Sequence, residues 1–235
     1  MTISQPPLRM PITSVRGGGH GNEVFSMRAF IAVDLSEEIR ERIKKIQREF
    51  RFLEGNAKFV DASQAHITLK FLGEISEELA AEIQRELASL DAEPFEITFR
   101  GVGFFPEMPL QRLQRGRVRV LWLGVEEESA CRLRELQSEI DARMSKFGFV
   151  RERNFRPHAT VARLKRALTN AELGAFKSKL NVLQKMKFGT MLVHTVKLKK
   201  STLTPQGPIY EDLFARRLTE KNGEIELRKR CRGER

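Results

Sequence analysis

The chain has 235 residues, 40% hydrophobic and 31% charged, with a formal net charge of +11. That is enough chain for one large soluble domain or two small lobes, and no run approaches the roughly 20 apolar residues of a membrane-spanning helix. Two cysteines, Cys131 and Cys231, exclude a disulfide framework and give no metal-ligand spacing, so a reducing cytoplasm is the expected compartment.

Residues 1–26 are rich in Ser, Thr, Pro and Gly and lack the apolar core of a secretory signal, so they read as a disordered extension. Met27 opens RAFIAVDL, a strand with Phe30 and Ala32 on one face and Ile31 and Val33 on the other. Ser36 then caps a helix over EEIRERIKKIQREF, where Ile39, Ile43 and Ile46 recur at helical spacing. A strand over 66–72 follows, with Ile67, Leu69 and Phe71 directed to the core. Ser76 caps a second helix, EELAAEIQRELASL, and FEITFRGVGFF is a strand stopped by Pro106.

The second half repeats this order. RVRVLWLGVE (117–126) reads as a strand with Trp122 in the core, and ESACRLRELQSEIDARMSKFG as a helix closed by Gly148. The next strand is HATVARL, and Thr169 caps NAELGAFKSKL. FGTMLVHTVKLKKSTL (188–203) reads as one strand and YEDLFARRL as the last. Strand, helix, His-x-Thr strand, helix, strand, written twice, indicates an internally duplicated α/β domain over 27–218. Residues 219–235 read as a charged tail. The +11 is not confined to it: residues 27–215 alone carry +6, which favours an acidic partner such as nucleic acid.

Two of the four histidines open matching phrases, HITLKFLGE at 66–74 and HATVARLKR at 158–166. On a strand, residues i and i+2 share a face, so His66, Thr68 and Lys70 share one, and His158 and Thr160 another. If the halves pack about a pseudo-two-fold, two imidazoles and two hydroxyls converge. Thr fills only 11 of 235 positions, so two His-x-Thr pairs in corresponding strands are poorly explained by chance. The set suits phosphodiester chemistry. One imidazole takes a proton from the attacking oxygen and the other gives one to the leaving oxygen, on opposite sides of phosphorus, while the hydroxyls hold the non-bridging oxygens. No metal and no cofactor are called for. His20, in GGGHGN, and His194, in MLVHTVK, lack such a setting.

HITLKFLGE and FRPHATVAR resemble the paired motifs of the two-histidine phosphoesterases. MRAFIAVDL, VRVLWLGV and KKSTLTPQGPIYE further resemble the 2′-5′ RNA ligase branch, also called RNA 2′,3′-cyclic phosphodiesterase, in its archaeal form. The resemblance runs from about Met27 to Leu218. It implies a bilobal α/β fold of two antiparallel-rich sheets with outer helices and a central groove. It also implies ATP- and metal-independent hydrolysis of RNA 2′,3′-cyclic phosphate ends to 2′-phosphomonoesters, with reversible 2′-5′ ligation in some members. Carried over, His66 is the general acid and His158 the general base; Thr68, Thr160 and Arg163 hold phosphate. Phe30 matches an aromatic suited to stacking on a base, and a core phenylalanine fits the position equally; Lys70, Arg156 and Lys165 extend a basic groove. The expected partner is RNA, tRNA halves among its forms, and the expected state a monomer without membrane attachment. A non-catalytic RNA-binding module, or the same chemistry on a small cyclic nucleotide, fits the same residues.

Overall fold

A computed structural model describes residues 26–113, 118–205 and 207–219. Of the extension expected at 1–26, residues 1–25, with His20, lie outside the described residues, as do residues 220–235, with Cys231, of the tail expected at 219–235.

Strand β1 (Ser26–Asp34) leads into helix α1 (Glu37–Glu49), where the Ser36 hydroxyl accepts the Ile39 N–H as N-cap. Ile39, Ile43 and Ile46 form the helix's buried stripe. Each contributes about 1.5–3 kcal/mol on burial. Strands β2 (Ala57–Phe59) and β3 (His66–Ser76) follow. Ser76 ends β3 and caps α2 (Glu77–Ala88), which runs to β4 (Phe95–Phe105). The second half runs β5 (Val120–Val125), α3 (Glu127–Met144), β6 (His158–Leu164), α4 (Asn170–Leu183), β7 (Lys187–Val193), β8 (Thr195–Leu203) and β9 (Pro208–Arg217). Helix α4 opens on a full capping box. The Thr169 hydroxyl accepts the Glu172 N–H, and the Glu172 carboxylate accepts the Thr169 N–H. No helix among the described residues is long and apolar enough to cross a membrane.

The strands form one sheet in the order β7-β4-β5-β6-β3-β1-β8-β9, all neighbours antiparallel, with β2 paired to β6. The mixed α/β class with antiparallel strands is as expected. The two expected sheets are wings of this one sheet, joined where β3 meets β6 at the single pair Ile67↔Ala159. The duplication is visible in the order of elements, with an exchange: β4 leaves the first half to pair with β5, and β8 leaves the second to pair with β1.

The single strand expected over 188–203 is two. Its alternation continues across His194, but β7 pairs with β4 at one edge while β8 pairs with β1 in the other wing. One residue cannot cross a row of strands about 4.8 Å apart. The sheet therefore curls until its wings stand close together. Apolar stripes of the four helices among the described residues pack on one face of it, and the histidine motifs occupy the other.

Candidate active site

Each motif strand carries the same irregularity. In β3, Ala32 pairs with Thr68 but Ile31 pairs with Lys70, leaving Leu69 as an extra residue. In β6, Trp122 pairs with Thr160 but Leu121 pairs with Ala162, leaving Val161 extra. The bulge in β6 is held by its own carbonyl, since Val161 O accepts from the Val60 N–H at 3.1 Å and from Gln47 Nε2 at 3.2 Å. A bulge of one residue reverses the face of everything beyond it. Leu69 and Lys70, like Val161 and Ala162, consequently lie on the buried side, and the fifth residue after each histidine returns to the site face. Those residues are Phe71 and Arg163.

This corrects the simple alternation. Phe71, expected in the core, is 69% exposed beside His66 and Thr68. Lys70, expected in a basic groove for RNA, is 5% exposed. It is ion-paired to Asp141 of α3 and donates to the Val150 carbonyl at 2.5 Å. Trp122 is not in the core either, because its register partner Thr160 and its neighbour His158 share the site face. Phe30 is only 3% exposed and packs its ring 4.8 Å from His66 and 5.0 Å from Tyr210, so of its two readings the packed phenylalanine holds, and it supports the imidazole. In the sequence, Phe71 is legible only as the residue at the position matching Arg163, five places after its histidine.

The two imidazoles are held in the same way. His66 Nδ1 lies 2.8 Å from the Gln64 carbonyl, and His158 Nδ1 lies 2.7 Å from the Arg156 carbonyl. A carbonyl only accepts, so Nδ1 carries the proton in each ring and Nε2 is the free nitrogen. Aromatic rings flank both: Phe30 and Tyr210 against His66, Phe105 and Trp122 against His158. Thr68 and Thr160, two residues along, make no side-chain hydrogen bond among the described residues.

Electrostatics distinguish the halves. Burial pushes the His66 imidazole below its ordinary pKa of 6.5. The Gln64 carbonyl opposes this, Lys199 adds to the lowering, Asp34 resists it, and Arg163 adds to it. Burial likewise lowers His158, with the Arg156 carbonyl opposing and Arg163 reinforcing. Arg163 thus acts on both rings, and on Tyr210, whose hydroxyl burial pushes up. Its guanidinium has no ion pair or hydrogen bond among the described residues. Behind His66, Asp34 bridges Lys197 at 2.8 Å and Lys199 at 2.9 Å, and both lysines also pair with Asp212. Burial raises the two carboxyls, but bonds from Lys197 and Lys199 outweigh it and hold both below the usual range.

Of the remaining expected residues, Arg156 is exposed on the wall next to His158 and paired with Glu107. Lys165 lies past the end of β6, exposed, its N–H bonded to the Asn56 carbonyl. His194 is exposed between β7 and β8, with Nδ1 3.3 Å from the Leu192 carbonyl and away from both motifs.

Residues 33–113 and 123–210 match the family described as LigT-like phosphoesterase. The chain belongs to that family. As a LigT-like phosphoesterase it is 41% identical over 187 residues to the RNA 2′,3′-cyclic phosphodiesterase of Archaeoglobus fulgidus, covering 80% of this chain and 98% of the relative. It is 38% identical to the protein of that name from Methanothermobacter thermautotrophicus, over 83% of this chain and all of the relative. Among solved structures, a Thermus thermophilus protein, TT0787, superposes with a TM-score of 0.64 at 30% identity, covering 82% of this chain and 98% of that one. Escherichia coli LigT complexed with 3′-AMP gives 0.65 at 25% identity, covering 83% and 100%.

Proposed function

We propose that this protein hydrolyses RNA 2′,3′-cyclic phosphate ends to 2′-phosphomonoesters. The observation that carries the reading is the matched pair of imidazoles, each with Nδ1–H fixed on a carbonyl and Nε2 free, around two threonine hydroxyls and an Arg163 that have no partner among the described residues. The family membership and the names of its archaeal relatives support it. His158 Nε2 takes a proton from water, whose oxygen bonds to phosphorus as the P–O3′ bond breaks. The imidazolium of His66 gives its proton to O3′. Thr68, Thr160 and Arg163 hold the non-bridging oxygens, and the planar guanidinium suits two of them at once. An RNA 5′-hydroxyl in place of water gives 2′-5′ ligation by the same route. One domain over 27–218 performs this as a cytoplasmic monomer, with tRNA halves as candidate natural ends.

The test is an oligonucleotide ending in a 2′,3′-cyclic phosphate, incubated with the full chain in chelator. The expected product is the 2′-phosphomonoester with a free 3′-hydroxyl. A 3′-phosphate product, or none at micromolar protein, overturns the reading.

The pH dependence follows from the same geometry. The acid must be charged and the base neutral, and burial lowers both groups in the free protein. The charged acid is lost as pH rises through its lowered pKa, so the alkaline limb of kcat/KM begins below the ordinary imidazole value of about 6.5. Lowering of the base moves the acid limb down as well. The expected profile of kcat/KM on a cyclic nucleotide therefore peaks on the acid side of about pH 6.5. A peak on the alkaline side contradicts unassisted imidazole catalysis.

A further inference from the structure

From His158 a groove of about 1270 Å³ runs along β4 and β5, lined among others by Phe105, Trp122, Gln137, Arg153 and Phe155. Its floor is Trp122, the one tryptophan of the chain. The indole lies across the backbone of two strands, at positions where no side chain is tolerated. A Cβ on Gly103 would stand 2.3 Å from the ring, and one on Gly124 2.9 Å from it. Gly103 is the register partner of Trp122, and Gly124 that of His158. Two glycines in neighbouring strands thus make room for one flat aromatic shelf, 6.4 Å from the His158 ring.

The other half has no such shelf. At the positions matching Trp122, Gly103 and Gly124 stand Ala32, Lys197 and Asp34, and the last two belong to the ion-paired ring behind His66. The shelf is therefore not a by-product of the duplication. Two donors in the groove wall, Trp122 Nε1 and the 4%-exposed Gln137 Nε2, have no hydrogen-bond partner among the described residues. Three arginines of the groove are already paired, Arg100 with Glu126, Arg134 with Glu127 and Arg156 with Glu107, whereas Arg153 has no partner among the described residues. A groove with most of its cations neutralised and an aromatic floor suits a base more than a run of phosphates.

We infer that Trp122 is a stacking platform for a second nucleobase, that of the nucleotide 5′ to the one bearing the cyclic phosphate. The inference rests on the proposed phosphodiesterase reading. From a cyclic phosphate terminus the chain continues only in the 5′ direction, and the Trp122 groove is continuous with the site at His158; a strand bringing an attacking 5′-hydroxyl arrives on the same side, and a control without the terminal phosphate separates the two.

The lone tryptophan reports on its own occupancy. Full-length protein is titrated with adenosine 2′-monophosphate, with the dinucleotide bearing the same 2′-phosphate end, and with that dinucleotide made abasic at its 5′ residue. The dinucleotide is expected to quench tryptophan fluorescence strongly and to bind about tenfold tighter than the mononucleotide, the usual range for one stacked base. The abasic form is expected to match the mononucleotide, and Trp122→Ala, which has no tryptophan and is titrated by calorimetry beside the parent, to lose the dinucleotide's advantage in affinity. Equal quenching and affinity for all three ligands overturns the shelf. So does equal quenching by a 5′-hydroxyl dinucleotide without the terminal phosphate, which gives the groove to an incoming strand. Turnover of the cyclic form is measured on the same preparation. Its absence sinks the phosphodiesterase reading, whereas turnover without length-dependent quenching sinks only the shelf.

Discussion

His66→Ala and His158→Ala each lower hydrolysis of a 2′,3′-cyclic phosphate end by about 10²–10⁴-fold, the usual worth of one general acid or base. The fold tolerates both changes, because each ring is only partly buried and its one hydrogen bond is to a carbonyl two residues ahead of the strand. Circular dichroism and thermal unfolding are therefore expected to stay near the parent values while turnover falls. The double variant is expected to be little worse than either single one, since the two groups act in one displacement and their effects are not additive. Undiminished turnover in either single variant removes that histidine from the mechanism. A complex with the 2′-phosphate product assigns the roles. If His158 rather than His66 stands next to O3′, acid and base are exchanged.

A different experiment addresses the fold beneath the site, and its effect on stability is the largest expected here. Lys70 and Asp141, 5% and 3% exposed, form a buried ion pair between β3 and α3. Lys70 also donates to the Val150 carbonyl, and Asp141 accepts the Glu152 N–H, both at 2.5 Å. The pair thus ties the first motif strand to the segment that leads through Arg156 to His158. Lys70→Ala leaves a buried carboxylate without its cation and is expected to cost about 3–5 kcal/mol. For a chain of this size that lowers Tm by roughly 6–20 °C. Hydrogen exchange is expected to rise first over residues 150–157, where two backbone groups depend on the pair. Lys70→Met with Asp141→Leu is expected to regain only part of the loss. Removing both charges ends the electrostatic penalty but leaves Val150 O and Glu152 N–H without partners. A Tm change below about one degree for Lys70→Ala, against that scale, would show that the pair is not closed in solution.

The same lysine illustrates what is hidden in the sequence. HITLK places His66, Thr68 and Lys70 on one face only while the strand stays regular. The bulge at Leu69 ends that regularity, and neither Gly nor Pro marks it. Its causes are contacts across the chain, as in β6, where Gln47 and Val60 hold the bulge at Val161. Phe71 and Lys70 exchange their expected surroundings for this one reason. Trp122 reads as core because VLWLGV is apolar throughout. What turns it outward is its register against Thr160, together with the room left by Gly103, a residue of another strand. The break at His194 is equally silent, since alternation persists while the strand changes partner.

The helices, their caps, the order of the repeat and the pairing of histidine with threonine are all local properties of the chain. They depend on side chains within a turn or two of each other: Ser36 reaching Ile39, Thr169 reaching Glu172, His66 two places from Thr68. Packing across the molecule, by contrast, makes the repeats exchange β4 and β8 and brings Arg163 and Phe71 to the site face. It also sets the shelf beside His158 and not beside His66. Those outcomes depend on which strands become neighbours and in what register. That is settled by burying apolar faces and satisfying backbone groups between segments far apart in the chain, and no local pattern records it.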